Sequence, residues 1–284
     1  FNLDQPGAAK YLRDLGITAI WMTPVYQNVD TVEHRPKLRD TGRPYTDYHG
    51  YGAVDMYAVE ERLGDLSTLR RLVDDAHRHG IKIVLDQVAN HTGPEHVFAQ
   101  DPPTPTWYAG TLARHLPNNW QIAALTDPYA APAVVDSTLH GWFANILPDF
   151  DQRDTEVERY IIQNTLWWMA VSGADAIRQD TWPYSPRRFW KPWMDAVKRE
   201  FPQVTVVAEV WHEDPAVMSY FEGTHVGIDG LRTGVDQMFD FPLQAATRRV
   251  FARGQSIRQL AQVLAQDRLY DNPNALVTFL DNHD

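Results

Sequence analysis

Short apolar runs alternate along this chain of 284 residues with segments that place apolar residues every three or four positions. The first pattern is typical of buried strands and the second of amphipathic helices. Their alternation predicts an α/β fold, in which crossover helices join the strands of a parallel sheet. Strands are predicted at residues 17–21, 81–85, 174–178, 204–208, 235–239 and 275–280. Helices are predicted at residues 3–15, 66–76, 157–169 and 189–197.

One connection is much longer than the others. From residue 92 to residue 149 neither periodicity is clear, and prolines recur throughout the segment. A structureless loop of that length is unusual in a compact domain. We therefore predict that residues 92–149 form an inserted subdomain, and that residues 1–91 and 150–284 form the main α/β unit.

Composition excludes several function classes. The formal net charge of −11 argues against a nucleic-acid partner. Polar residues interrupt every apolar run well before the ~18 residues of a transmembrane helix, so no membrane partner is expected. The absence of cysteine excludes disulfides, thiolate metal sites and cysteine nucleophiles. The chain has ten tryptophans, an unusually large number, and we expect some of them to have a function beyond filling the core.

Polar residues directly follow four of the predicted strands. Asp86 follows the second strand, Asp180 the third and Glu209 the fourth, and residues 281–284 follow the last. In a parallel barrel the active site forms at the carboxyl ends of the strands. The sequence therefore predicts a site rich in carboxylates at this edge of the sheet, with Asp86 as a buried hydrogen-bond anchor.

Two of these carboxylates have surroundings suited to different roles. Arg178 and Asp180 are two positions apart on one strand, so their side chains point the same way, and a nearby cation favours the ionised form that a nucleophile needs. Glu209 follows an apolar strand and is flanked by Val210 and Trp211, and such surroundings favour the protonated form of a general acid. The pair is that of a retaining glycosidase, and the aromatic residues would stack on sugar rings.

At this point the sequence resembles the α-amylase family, glycoside hydrolase family 13. Four segments resemble the family's conserved regions in the family's order, and two further segments are similar to its Tyr-His-Gly-Tyr segment and to its fifth region. The four segments are residues 86–91, 175–181, 207–212 and 279–284, and the two further ones are 47–51 and 147–151. Residues 141–143 and 180–184 look more like the neopullulanase and cyclomaltodextrinase side of the family.

The resemblance implies a (β/α)₈ TIM barrel with domain B inserted after the third strand. The first and eighth strands have no counterpart here, so we expect a fragment whose ends at Phe1 and Asp284 are not natural ends. It also implies double displacement with retention on an α-glucan, without a cofactor. Asp180 would be the nucleophile, Glu209 the acid/base and Asp284 the transition-state stabiliser. The implied substrate-binding residues are Tyr51, His91, Arg178, Tyr184, Trp211, His212 and His283.

Calcium is the only metal whose binding the resemblance suggests. Asn90 matches a possible calcium ligand, but the residues before the fifth region, 141–143, lack the aspartate that calcium-binding members supply. Asp86 and Asn90 are accordingly interpreted as structural residues, and no metal is assigned.

Other functions share parts of this pattern. A glucanotransferase, or an isomerase acting on sucrose or trehalose, would share all four motifs. A metal-dependent barrel hydrolase could use Asp86, His91, His283 and Asp284 as ligands, although no His-x-His pair is present. A non-catalytic binding protein on the same fold would be expected to lack one of the three carboxylates, and all three are present.

Overall fold

The computed structural model describes residues 7–29 and 49–284 of the chain. The strands are β1 (Ala19–Met22), β2 (Tyr26–Gln27), β3 (Asp55–Val59), β4 (Lys82–Gln87), β5 (Gly110–Thr111), β6 (Arg114–His115), β7 (Ala176–Gln179), β8 (Thr205–Ala208), β9 (Gln237–Phe239) and β10 (Leu276–Val277). The α-helices are α1 (Ala8–Asp14), α2 (Leu66–Arg78), α3 (Val97–Gln100), α4 (Pro132–His140), α5 (Thr155–Ser172), α6 (Arg187–Glu200), α7 (Pro215–Tyr220), α8 (Phe241–Thr247) and α9 (Arg258–Leu264).

Six of the strands form one sheet in the order β1-β4-β7-β8-β9-β10. Every neighbouring pair in this sheet is parallel. These six are the strands predicted from the sequence, in chain order, so the predicted α/β fold with a parallel sheet is confirmed. Because all six strands run the same way, the residues that follow them collect at one edge.

Strand β10 is the main departure from the prediction. The apolar pattern predicted a strand over residues 275–280, whereas β10 is Leu276–Val277 and Leu280 is largely exposed. Within the described residues β10 pairs with β9 alone, so it has ladder hydrogen bonds along one side only. A strand that pairs on one side only lacks the hydrogen bonds of a second neighbouring strand, and we attribute the short length of β10 to this.

Capping residues in the sequence determine where helices α2 and α5 begin and end. Asp65 caps α2 by accepting the N–H of Thr68, and Asp154 caps α5 by accepting the N–H of Glu156. Gly173 ends α5 in the left-handed conformation, which glycine adopts without steric cost. None of the helices in residues 7–29 and 49–284 is long and apolar enough to cross a membrane.

A pair of buried tryptophans anchors the loop that follows β7. The rings of Trp182 and Trp190 stack with centroids 3.9 Å apart, and the indole N–H of Trp190 donates to the carbonyl of Trp182. Both side chains are buried. This contact fixes the chain two residues beyond Asp180.

The long segment at residues 92–149 contains α3, α4 and the short antiparallel pair of β5 and β6. Two bridges tie it to its flanks, His91 to Asp149 and Tyr108 to Phe150. Trp107 and Trp142 of this segment are buried in the same hydrophobic core as the sheet. The segment thus packs onto the sheet, and its assignment as a separate subdomain stays a prediction.

Candidate active site

The guanidinium group of Arg178 lies at the centre of the polar edge of the sheet. Its Nη1 donates to Asp86 at 2.8 Å and to Asp180 at 2.8 Å, and its Nη2 lies 2.6 Å from Glu209. All four side chains are buried. We call them the Arg178 cluster. Three carboxyl groups from neighbouring strands therefore converge on one cation.

Asp86 is the most fully bonded of the three carboxyl groups. Besides Arg178, it accepts the indole N–H of Trp21 and the hydroxyl of Tyr51, both at 2.9 Å. A carboxylate that receives this many donors holds its neighbours in place. These contacts agree with the interpretation of Asp86 as a buried hydrogen-bond anchor.

Burial raises the pKa values of the cluster's carboxyl groups. It raises the pKa of Glu209 to about 7 and that of Asp86 to about 7, in both cases against the opposing charge of Arg178. The pKa of Asp180 is raised by the same cause. Arg178 lowers the pKa of Asp180, as expected from the sequence, but burial raises it by more, so the net shift is upward. One cation cannot keep three buried carboxylates ionised, so the cluster retains a proton near neutral pH.

The residue after Asp180 has an unusual backbone. Thr181 adopts φ 48 and ψ 36, in the left-handed region that β-branched residues rarely enter. In this conformation its N–H donates to Oε2 of Glu209 at 3.0 Å. The turn thus gives Glu209 a second fixed partner beside Arg178. Backbone strain of this kind is concentrated at functional sites.

Tyr51 and His283 stack at the rim of the Arg178 cluster. Their ring centroids are 5.5 Å apart, and the Tyr51 hydroxyl lies 2.8 Å from Nε2 of His283. Because that hydroxyl donates to Asp86, the His283 nitrogen is the donor in this contact. Asp284 lies 3.6 Å from His283 and is exposed. All three residues therefore reach the predicted site. Asp47 and Tyr48, from the Tyr-His-Gly-Tyr segment, lie outside the described residues.

His91 is buried with both ring nitrogens engaged. Its Nε2 donates to the carbonyl of Tyr51 at 3.0 Å, and Nδ1 lies 3.3 Å from the amide nitrogen of Asn90. Burial lowers the pKa of His91 to about 4, so the ring is neutral at neutral pH. Donation to a sugar hydroxyl would require Nε2 to leave the Tyr51 carbonyl.

Among the described residues, Asn90 has one carboxylate, that of Asp149, as a direct hydrogen-bond partner. The Asn90 amide donates to Asp149 at 2.7 Å. Calcium takes six to eight oxygen ligands. Among residues 7–29 and 49–284, no group of three or more His, Asp or Glu side chains could hold a metal ion.

Three further predicted binding residues lie around the cluster at different depths. Tyr184 is half-buried, and burial followed by the nearby Glu209 and Asp180 carboxylates raises its pKa. Trp211 is exposed and stacks on Phe241 at 5.2 Å. His212 accepts the N–H of Asp214 at the start of α7, and no described contact joins it to the Arg178 cluster.

Sequence reasoning missed three contributors to this site. Trp21 ends the first predicted strand and reaches Asp86, a position that the strand pattern alone could have suggested. The left-handed backbone of Thr181 has no sequence signal, since threonine rarely adopts it. Phe143, whose ring stacks on His91 at 5.2 Å, lies in the long irregular segment where periodicity gives no guidance.

Comparison with known proteins decides the family. Residues 8–284 match the family model described as alpha amylase, catalytic domain. The chain belongs to the alpha-amylase family. The predicted family is thereby confirmed, and it is a family of glycoside hydrolases.

Similar proteins fall in several groups of this family. The chain is 29% identical to a beta/alpha-amylase from Paenibacillus polymyxa, over 96% of this chain and 20% of that protein. It is 27% identical to neopullulanase 2 from Thermoactinomyces vulgaris, over 96% of this chain and 41% of that protein. Among solved structures, an alpha-amylase from Geobacillus thermoleovorans complexed with acarbose superimposes with a TM-score of 0.76 at 31% identity, covering 98% of this chain and 54% of that one.

The family match also identifies the architecture to which the sheet belongs. The six parallel strands are a half-barrel that matches the alpha-amylase catalytic barrel. The chain spans less than half the length of the two relatives named above and about half of the solved structure.

Proposed function

We propose that this chain is the catalytic part of a retaining α-glucan hydrolase that cleaves α-1,4 or α-1,6 glucosidic bonds of starch-like polymers, maltooligosaccharides or cyclodextrins. The observation that carries the proposal is the pair of carboxyl groups, Asp180 and Glu209, bridged by one guanidinium group. Double displacement uses two carboxyl groups, one as the nucleophile and one as the acid/base.

In the proposed reaction Asp180 attacks the anomeric carbon while Glu209 gives its proton to the departing glycosidic oxygen. The raised pKa of Glu209, about 7, supports the role of proton donor at neutral pH. A glycosyl ester on Asp180 forms with loss of the leaving sugar. Glu209 then takes a proton from water, which attacks the same carbon and releases the α-anomer.

The surrounding residues are proposed to bind the reacting sugar. Tyr51 would stack on its ring, while Arg178 keeps Asp180 oriented for attack. His283, Asp284 and His91 would bind hydroxyl groups, more tightly as the ring flattens in the transition state. We further propose that residues 92–149 are the inserted domain B and form one wall of the binding cleft. No step uses a metal or cofactor.

The test is product analysis with the full-length protein. Starch, pullulan, cyclodextrins, maltose and sucrose would be incubated with the wild type and with the Asp180→Asn variant, and the first anomer released would be identified by proton NMR. Release of α-anomers that is lost in the variant supports the proposal. New glycosidic bonds without new reducing ends would point to a glucanotransferase or isomerase, and first release of β-anomers would exclude retention.

A further inference from the structure

The Arg178 cluster contains two carboxyl groups that compete for one proton. Asp86 and Glu209 are both buried, and burial raises the pKa of each to about 7. Under the proposed function, Glu209 must hold the proton that the departing glycosidic oxygen receives. A proton that stayed on Asp86 would leave Glu209 ionised and unable to act as an acid. The activity therefore depends on how the cluster directs its proton to one of these two groups.

The partners of Asp86 are nearly all hydrogen-bond donors that cannot accept. Its Oδ2 accepts the indole N–H of Trp21 at 2.9 Å, the hydroxyl of Tyr51 at 2.9 Å and Nη1 of Arg178 at 3.0 Å. Its Oδ1 accepts the same Nη1 at 2.8 Å. A protonated carboxyl group is itself a donor, whereas indole and guanidinium groups have no acceptor to offer it. Among the described partners of Asp86, the Tyr51 hydroxyl is the one that can also accept.

Glu209 has fewer donors around it and is more exposed. Among the described residues, Oε1 has Nη2 of Arg178 at 2.6 Å and Oε2 has the N–H of Thr181 at 3.0 Å. The side chain of Glu209 is 9% exposed, whereas that of Asp86 is 0% exposed. Because a carboxyl oxygen has two lone pairs, each Glu209 oxygen keeps one for a proton. The geometry therefore favours a proton on Glu209 over one on Asp86.

The indole of Trp21 is held in a fixed orientation by its other contacts. It stacks on Phe239 with centroids 5.2 Å apart and meets the ring of His283 edge-on at 5.3 Å. The guanidinium carbon of Arg178 lies 5.1 Å from its ring centroid. These contacts keep the N–H directed at Asp86. Without that N–H, the Tyr51 hydroxyl could turn to accept from a protonated Asp86 and donate instead to Nε2 of His283, which is 2.8 Å away.

We propose that Trp21 is a positioning residue whose indole N–H keeps Asp86 ionised and thereby directs the proton of the Arg178 cluster to Glu209. Trp21 acts through Asp86 and takes no part in bond making or breaking. This inference rests on the proposed function, because it concerns the proton that Glu209 gives to the leaving group. The titratable groups that act on Asp86 are Tyr26, Tyr51, Arg178 and Asp180, and those that act on Glu209 are Arg178, Asp180, Tyr184, His283 and Asp284. A change at Trp21 alone removes none of these groups.

The experiment measures kcat/KM of the full-length protein from pH 5 to 9 with two substrates. The leaving group of maltoheptaose needs a proton, whereas the fluoride of α-maltosyl fluoride leaves without one. Trp21→Phe keeps an aromatic ring and loses the N–H, so the proton moves to Asp86 and Glu209 needs a second proton to act as an acid. For maltoheptaose we expect the basic limb to move down by about one pH unit, the effect of one hydrogen bond to a carboxylate. For the fluoride, the ratio of variant to wild-type kcat/KM should be the same at pH 5 and pH 8.

Trp193→Phe is the matched control, since its buried indole N–H donates to the Thr165 hydroxyl at 3.0 Å and no described contact joins it to the Arg178 cluster. It should leave the basic limb for maltoheptaose in place. Replacement of Trp21 by 3-benzothienylalanine keeps the shape of the indole without its N–H, so it should reproduce the shift even if Trp21→Phe folds poorly.

An unshifted basic limb in this isosteric variant would overturn the inference. A shift that Trp193→Phe shares, or an equal loss on both substrates at every pH, would overturn it as well, because either result would assign Trp21 a structural role only. If the wild type cleaves neither substrate, the proposed function itself has failed.

Discussion

Arg178 lies 2.6 Å from Glu209 through Nη2, while its Nη1 donates to Asp180 at 2.8 Å. The guanidinium group is planar and fixes two directions at once, which a lysine ammonium group cannot do. Arg178 is also buried, so its charge and its hydrogen bonds are not replaced by water. The relative orientation of the two proposed catalytic carboxyl groups therefore depends on Arg178, together with the Thr181 N–H that also holds Glu209.

Replacing Arg178 with lysine should remove activity even though the charge remains. We expect kcat/KM to fall by at least ~100-fold, because a ~1 Å misplacement of reacting groups already has an effect of this size. Stability should fall by about 1–3 kcal/mol, because lysine keeps the cation but cannot replace all of the buried hydrogen bonds of the guanidinium group. Arg159→Lys, in an exposed pair with Glu156, is the control and should change neither quantity. Wild-type kinetics in Arg178→Lys would contradict the proposed role.

The activity should depend on a proton that Glu209 holds. Since burial raises the pKa of Glu209 to about 7, kcat/KM for maltooligosaccharides should fall as pH rises through this value. Glu209→Gln should lose about 10³-fold on oligosaccharides, yet it should still consume one equivalent of α-maltosyl fluoride because fluoride leaves without protonation. Pre-steady-state kinetics across pH 5 to 9 measure both effects. A basic limb that persists in Glu209→Gln with the fluoride would assign the titration to another group.

The same raised pKa has a consequence for stability. A carboxyl group whose pKa is higher in the folded than in the unfolded chain favours the folded state at low pH, and this contribution is lost as pH rises toward about 7. Glu209→Gln removes the penalty of ionising the buried group. We therefore expect the variant to exceed the wild type in unfolding free energy by about 1–2 kcal/mol at pH 8 and by less at pH 5. Denaturant titrations at the two pH values measure the difference, and a variant that is less stable at pH 8 would contradict it.

Calcium removal should leave the enzyme unchanged. The described residues near Asn90 supply Asp149 and amide groups, and no group of three or more His, Asp or Glu side chains that could hold a metal ion is found among them. After treatment with EDTA and gel filtration, activity and melting temperature should match those of the untreated protein. A lower melting temperature that added calcium restores would show that a site exists.

Thr181 should tolerate glycine. The left-handed backbone that directs its N–H to Glu209 is unstrained for glycine, and the N–H is retained. We expect kcat/KM of Thr181→Gly to stay within about threefold of wild type, because the N–H that donates to Glu209 is retained. Thr181→Pro removes the N–H and forces a negative φ, so it should be inactive or unfolded. A large loss in Thr181→Gly would mean that the hydroxyl or methyl group matters.

The strands could be predicted from the sequence because buried parallel strands are nearly continuous apolar runs, as in β4 and β8. Polar residues just after such runs then locate Asp86, Asp180 and Glu209 at one edge of the sheet. Contacts that depend on backbone conformation or on distant segments could not be predicted this way. Thr181 and Phe143 are examples, the first because of its unusual turn and the second because its segment has no periodicity.

The direction of the Asp180 pKa shift could not be predicted from the sequence either. Spacing places Arg178 beside Asp180, but it does not show that Asp86 and Glu209 share the same cation. Burial and the number of carboxyl groups per cation become visible only in three dimensions. That balance, and not the pairing of two neighbours, sets the protonation of the cluster.

The most direct test of the proposed mechanism is to trap the covalent intermediate. The full-length protein would be incubated with 5-fluoro-α-glucosyl fluoride, whose fluorine slows the second step, digested with a protease and analysed by mass spectrometry. We expect one fluoroglucosyl group on the peptide containing Asp180, and none in Asp180→Asn. A label on a different carboxyl group, or no covalent adduct during active turnover, would contradict the assignment of Asp180 as the nucleophile.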